Sequence, residues 1–145
     1  MTVTFIAHSA YLVEWDKFYT LFDYTYEEDY TGALPPLKPE KPLLVFASHS
    51  HEDHFDARVY GLLEQYPDTR YFVSRDTRLT ERKRKWLNIS DEAFARTTVL
   101  RPDSILLTEA AGEELSIRAI KSTDIGNAYL LRCEGKMVYH GGDLN

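Results

Sequence analysis

Three of the five histidines in this 145-residue chain, His49, His51 and His54, fall within six positions together with the acids Glu52 and Asp53. Imidazole and carboxylate are metal ligands, and their spacing sorts them. In extended backbone, side chains two apart share a face, so His49 and His51 converge on one ion. The adjacent Asp53 and His54 diverge and address a second position, so one short segment can seed two metals. No thiolate stands among them, which suits a hydrolytic zinc, iron or manganese centre with an open coordination position better than a closed structural zinc site. A water bound there ionises near neutral pH, and a free face of a neighbouring carboxylate can orient it. The competing possibility is a hydrogen-bonded histidine cluster without metal, which is disfavoured because charging three close imidazoles is costly.

Such ligands need a rigid base. The unbroken apolar run Leu43-Leu44-Val45-Phe46-Ala47 directly before them supplies it as a buried strand. Upstream, residues 2–6, 11–15 and 18–22 are short β-branched and aromatic runs, predicted as a meander of antiparallel strands. His8 falls in the first turn of that meander, where a lone histidine is expected to be a surface or hydrogen-bonding residue. Residues 24–40 interleave Tyr24, Tyr26 and Tyr30 with acids and end in three prolines, which predicts a long loop; as an ordered connection of that length it is a candidate border of the site.

Downstream, Asp56 is the candidate N-cap of a helix carrying Val59, Leu62, Leu63 and Tyr66 and ending at Pro67. The run 70–74 then reads as the next strand, making a strand, helix, strand crossover. A short amphipathic helix over 81–87 is expected to turn its charge run to solvent, and further strands are expected at 97–100, 104–108, 115–120, 128–132 and 136–140. The class is strand-rich α/β (α+β).

The length fits a single domain over 1–145 that buries roughly two-thirds of its unfolded surface. A net charge of -6 argues against a nucleic-acid or anionic-membrane partner. No apolar run approaches the roughly 20 residues that span a bilayer, and no signal segment precedes the first strand. With the single Cys133 excluding an internal disulfide, the expectation is a soluble, cytoplasmic protein. Cys133 itself lies in an expected strand and reads as a packed thiol. No Gly-x-Ser-x-Gly elbow or phosphate-cradling glycine loop is present.

The pattern His49-Ser50-His51-Glu52-Asp53-His54 resembles the signature of the metallo-β-lactamase superfamily. The segment from Ala7 to Val13 resembles that family's opening hairpin, and Gly141-Gly142-Asp143 resembles the later strand end that supplies a bridging aspartate. The resemblance implies an αββα sandwich, here its N-terminal half or a truncated version. It implies that His49 and His51 bind a first metal, Asp53 and His54 a second, and Asp143 both. It further implies a metal-dependent hydrolase in which Asp53 positions a metal-activated hydroxide against an ester, lactone, amide or phosphodiester in a small-molecule substrate. One or two divalent ions are expected, zinc first, with iron or manganese as alternatives.

Two departures stand out. No histidine occurs between His54 and His140, so the family's further imidazole, expected near Ser122, is absent; Asp124 is the candidate oxygen ligand in its place. His140 is expected in packing. The chain also stops two residues after Asp143, short of the family's last histidine, so the domain is expected to be incomplete at its C-terminus. An incomplete sheet would expose apolar surface for a homo-oligomer or partner chain to cover. The alternative function is therefore a degenerate, non-catalytic metal-binding or assembly module of the same fold.

Overall fold

The structure is a computed structural model and describes residues 1–143; Leu144 and Asn145 lie outside the described residues. Three strands open the chain as an antiparallel meander: β1 (Thr2–Ala7), β2 (Ala10–Glu14) and β3 (Tyr19–Phe22). The sheet then turns parallel through β4 (Leu43–Ala47), β5 (Thr69–Ser74) and β6 (Thr97–Leu100), in the order β1-β2-β3-β4-β5-β6. An antiparallel four-stranded sheet follows, with β7 (Ser104–Ala110), β8 (Glu113–Lys121), β9 (Asn127–Cys133) and β10 (Lys136–His140) in the order β10-β9-β8-β7.

All five residues of β4 are buried because both of its faces are covered. Leu43, Val45 and Ala47 join a core with the helical residues Val59, Leu62, Leu63 and Ala93. Leu44 and Phe46 face the other way, into a core shared with Leu115, Ile117, Tyr129 and Leu131 of the second sheet. A strand buried on both sides cannot alternate polar with apolar, which explains the unbroken run. The layers are therefore helices, six-stranded sheet, four-stranded sheet, a strand-rich α+β arrangement with few helices. On the outward face of the second sheet, Ile105 and Leu107 are 63% and 77% exposed, and no described helix covers them.

The helical layer is short. Asp56 caps the Ala57–Gly61 segment as expected, accepting from the Arg58 amide, but that segment is a 3-10 turn leading into α1 (Leu62–Gln65) rather than one continuous helix. A glycine at the junction, without the helix propensity of its neighbours, fits the break. The run at 81–87 forms α2 (Glu81–Trp86). Its charge is not all turned to solvent: Arg84 is buried, paired with Glu81 and Asp91. Asp91 begins α3 (Asp91–Ala95), which the sequence pattern did not reveal. Ser90 caps it by accepting from the Ala93 amide, and Asp91 and Glu92 occupy its first turn.

The chemistry gathers at one edge. β3, β4 and β5 run parallel and end together, delivering Asp23, the histidine loop and Asp76 to the same rim, where ligands of open parallel sheets characteristically bind. The β1–β2 turn brings His8 there, and the end of β10 brings Asp143.

Candidate metal centre

Ser48 and His49 leave β4 completely buried, His51 and Glu52 are exposed, and His54 turns back into the interior. The loop is a tight turn: the His54 and Phe55 amides both donate to the His51 carbonyl, at 2.9 and 2.8 Å. Ser50 is tied down by its own amide, which donates to Asp76 Oδ2 at 2.9 Å.

Behind the loop stands Asp23, buried at the end of β3 in a left-handed backbone conformation with φ of 50°. Its Oδ1 accepts from the Ser48 amide, and its Oδ2 from the Ser48 hydroxyl, each at 2.7 Å. Because that hydroxyl proton is committed, the Ser48 oxygen must accept from His49 Nδ1, 2.8 Å away. His54 Nδ1 lies 2.7 Å from the same Asp23 Oδ2 and donates to it. Both imidazoles thus carry a proton on Nδ1 and turn Nε2 forward, the nitrogen that is left to bind a metal when the ring is neutral. This carboxylate-to-histidine bracing is how proteins orient metal ligands.

Those forward nitrogens decide whether a metal fits. His49 Nε2 and His54 Nε2 are buried and have no hydrogen-bond partner. Asp143 Oδ2 lies 3.5 Å from the first and Oδ1 3.0 Å from the second, so the carboxylate reaches toward both, without hydrogen-bond geometry to either. Lone pairs aimed at one another across about 3 Å repel unless a cation or proton lies between them. The donor atoms fall into two groups, each within 4.8 Å: His49, His51 and Asp143, and His8, Asp53 and His54. The residues present fit divalent metal.

The electrostatics follow the same division. Burial, reinforced by the neighbouring His54, lowers the His49 pKa. Burial would also depress His54, but its hydrogen bond to Asp23 and the carboxylates of Asp23, Asp53 and Asp143 outweigh that and raise it. Partial burial works to raise Asp53, yet the hydrogen bond from His8 and the nearby His54 hold its carboxyl below the ordinary range.

His49 and His51 therefore share one group and Asp53 and His54 the other, with Asp143 between them. Asp124 belongs to neither group and is exposed in the β8–β9 turn. In that turn Ser122 is buried and donates from Oγ to the Asp143 carbonyl at 3.0 Å, so the stretch without a histidine anchors Asp143 by its backbone. Gly126 is required beside it: φ is +77°, and a Cβ would collide with the Ser48 carbonyl oxygen. His140 is in packing as expected, stacked on Phe22 with centroids 4.9 Å apart and 3.1 Å from the Ser9 carbonyl.

Sequence reasoning missed Asp23 and set His8 aside. An acid ending the apolar run of β3 was the available sign of the first. For His8 there was none, because its partner Asp53 lies 45 positions away.

A family model described as the β-lactamase superfamily domain matches residues 2–145. Among solved structures, a novel metallo hydrolase from the archaeon Ignicoccus hospitalis aligns at 20% identity with a TM-score of 0.58, covering 98% of this chain and 60% of its own. A protein of unknown function from Enterococcus faecalis aligns at 16% and 0.57, covering 97% and 41%. The metallo-β-lactamase fold protein YhfI of Bacillus subtilis aligns at 15% and 0.52, covering 90% and 52%. The chain thus spans 41 to 60% of the length of these three structures. No curated protein matches.

Proposed function

The chain belongs to the metallo-β-lactamase superfamily, and from that premise we propose that it is a metal-dependent hydrolase, or the metal-bearing portion of one, acting on an ester, lactone, amide or phosphodiester. The observation that carries this is the pair of buried, unpartnered Nε2 atoms facing Asp143. His49, His51 and Asp143 would hold one ion, and Asp53, His54 and Asp143 the other. Bound there, a divalent ion supplies Lewis acidity and makes water a competent nucleophile near neutral pH. Nitrogen and oxygen donors without thiolate favour zinc, with iron or manganese as alternatives.

The chain's own residues do the positioning. Asp23 and Ser48 hold the imidazoles in the ligating tautomer. Asp53 is ionised at neutral pH and has the free lone pairs to orient water or accept its proton. His51 and Glu52 are exposed, so a substrate reaches the rim from solvent. Beside Ser50 runs an open groove lined by Arg75, Arg78 and Lys83 with Asp76, which favours a substrate bearing an anionic group. A cytoplasmic location belongs to the same proposal, in keeping with one buried free cysteine; among described residues no helix is long and apolar enough to cross a membrane.

The test is a panel of anionic and neutral lactones, esters and phosphodiesters offered to zinc-, iron- and manganese-loaded protein. Turnover that disappears in His51→Ala, with anionic members preferred, is expected. Full metal loading with no turnover across the panel would favour the binding or assembly module instead.

A further inference from the structure

Of the two donor groups, the one containing Asp53 and His54 has a member that comes from an element far from the histidine loop. His8 sits in the two-residue turn between β1 and β2, and its Nε2 lies 2.9 Å from Asp53 Oδ2. Asp53 Oδ2 lies 3.3 Å from His54 Nε2, which lies 3.0 Å from Asp143 Oδ1. Four ligands held tetrahedrally at zinc-like bond lengths stand roughly 3.3 Å apart. The three consecutive spacings from His8 through Asp53 and His54 to Asp143 lie within a few tenths of an ångström of that edge length, and the donor atoms of His8, Asp53 and His54 all fall within 4.8 Å of one another.

His8 is also held in place. Its backbone is left-handed, with φ of 52°, an uncommon conformation for a residue other than glycine. Its ring lies against Tyr30 of the β3–β4 loop, centroids 4.8 Å apart, and 5.8 Å from the ring of His54.

We propose that His8 is a ligand of the second metal position, completing with Asp53, His54 and Asp143 a four-residue donor set from within this chain. The proposal rests on the metal-binding function above and extends it by one residue. It makes the opening hairpin part of the metal site.

The test measures zinc bound per chain, and its affinity by chelator competition, in wild type, His8→Asn and His8→Gln. Asparagine tolerates the left-handed turn, and either amide can still donate to Asp53 without supplying an imidazole. Two zinc ions in wild type are expected, with the second weakened at least roughly 100-fold in both variants, beyond the loss typical of an outer partner. In the cobalt form of the wild-type chain, a paramagnetically shifted imidazole resonance assignable to His8 is expected independently of any variant. Unchanged affinity in His8→Asn or His8→Gln, or no shifted His8 resonance, would overturn the proposal while leaving the metal site standing. Wild type that binds one ion would overturn it as well, and wild type that binds none would overturn both it and the proposed function.

Discussion

Asp23 joins the two halves of the site into one unit, since a single buried carboxylate fixes the tautomers of His49, through Ser48, and of His54. Replacing it with asparagine keeps the shape but puts an amide where both acceptor oxygens are needed. Asp23→Asn is expected to fold and to lose about 10- to 100-fold in zinc affinity, measured by competition with a chromophoric chelator. Unchanged affinity would show that the loop backbone alone orients the ligands.

Among the elements, the β8–β9 turn carries more than its exposed residues suggest. The Asn127 amide donates to the Ser48 carbonyl at 2.8 Å, and Tyr129 donates from its hydroxyl to the Ala47 carbonyl at 2.8 Å, so the second sheet grips the first at the point where β4 becomes the histidine loop. Gly126→Ala places a methyl group against that backbone and forces a left-handed alanine. The expected cost is more than about 2 kcal/mol in unfolding free energy, accompanied by weaker metal binding, read by denaturant titration with and without zinc. A loss of stability with metal affinity intact would separate the turn from the site. The cap on the Ala57–Gly61 segment also serves the long loop, because Asp56 Oδ2 accepts from the Tyr26 amide at 2.8 Å and fastens that loop to the helical layer. Asp56→Ala should therefore cost about 1–2 kcal/mol in thermal or chemical unfolding, the upper range for a lost cap.

Across the whole molecule, tyrosines record how dry the two cores are. Burial pushes Tyr60 and Tyr26 up to about 12, and raises Tyr71 and Tyr129 still further. A folded pKa above the unfolded value of about 10 means that each contributes stability fully present below pH 10, and lost as pH rises through its folded pKa. Alkaline titration at 295 nm should therefore show these four of the ten tyrosines resisting ionisation until the chain unfolds, in or above the interval between pH 10 and 12. Smooth ionisation of all ten near pH 10 with the fold intact would contradict the packing described. The outward face of the second sheet has the opposite character. Ile105, Arg118, Leu130 and Tyr139 form one cross-strand row, and Leu107, Ser116, Arg132 and Met137 another. With Glu109 and Glu114 alongside, the face mixes apolar side chains with both signs of charge. We propose that a second copy of the chain packs there, its arginines opposite those acids. Sedimentation should show a concentration-dependent rise in mass that Leu107→Lys abolishes; a monomer at every concentration would dismiss it.

The histidine loop as a candidate metal site, its strand, the Asp56 cap and most strand positions were legible in the sequence because each depends on neighbours a few residues apart: a doubly buried strand is continuously apolar, and histidines and acids crowded on one loop announce themselves by spacing. α3 went unread because five residues are too few to show a helical period, although Ser90, Asp91 and Glu92 mark its start. Asp23, His8 and Ser122 were illegible as site residues for a different reason. Each acts through a partner between 21 and 45 positions away, and only the pairing of strands that end at one rim brings those partners within hydrogen-bond distance.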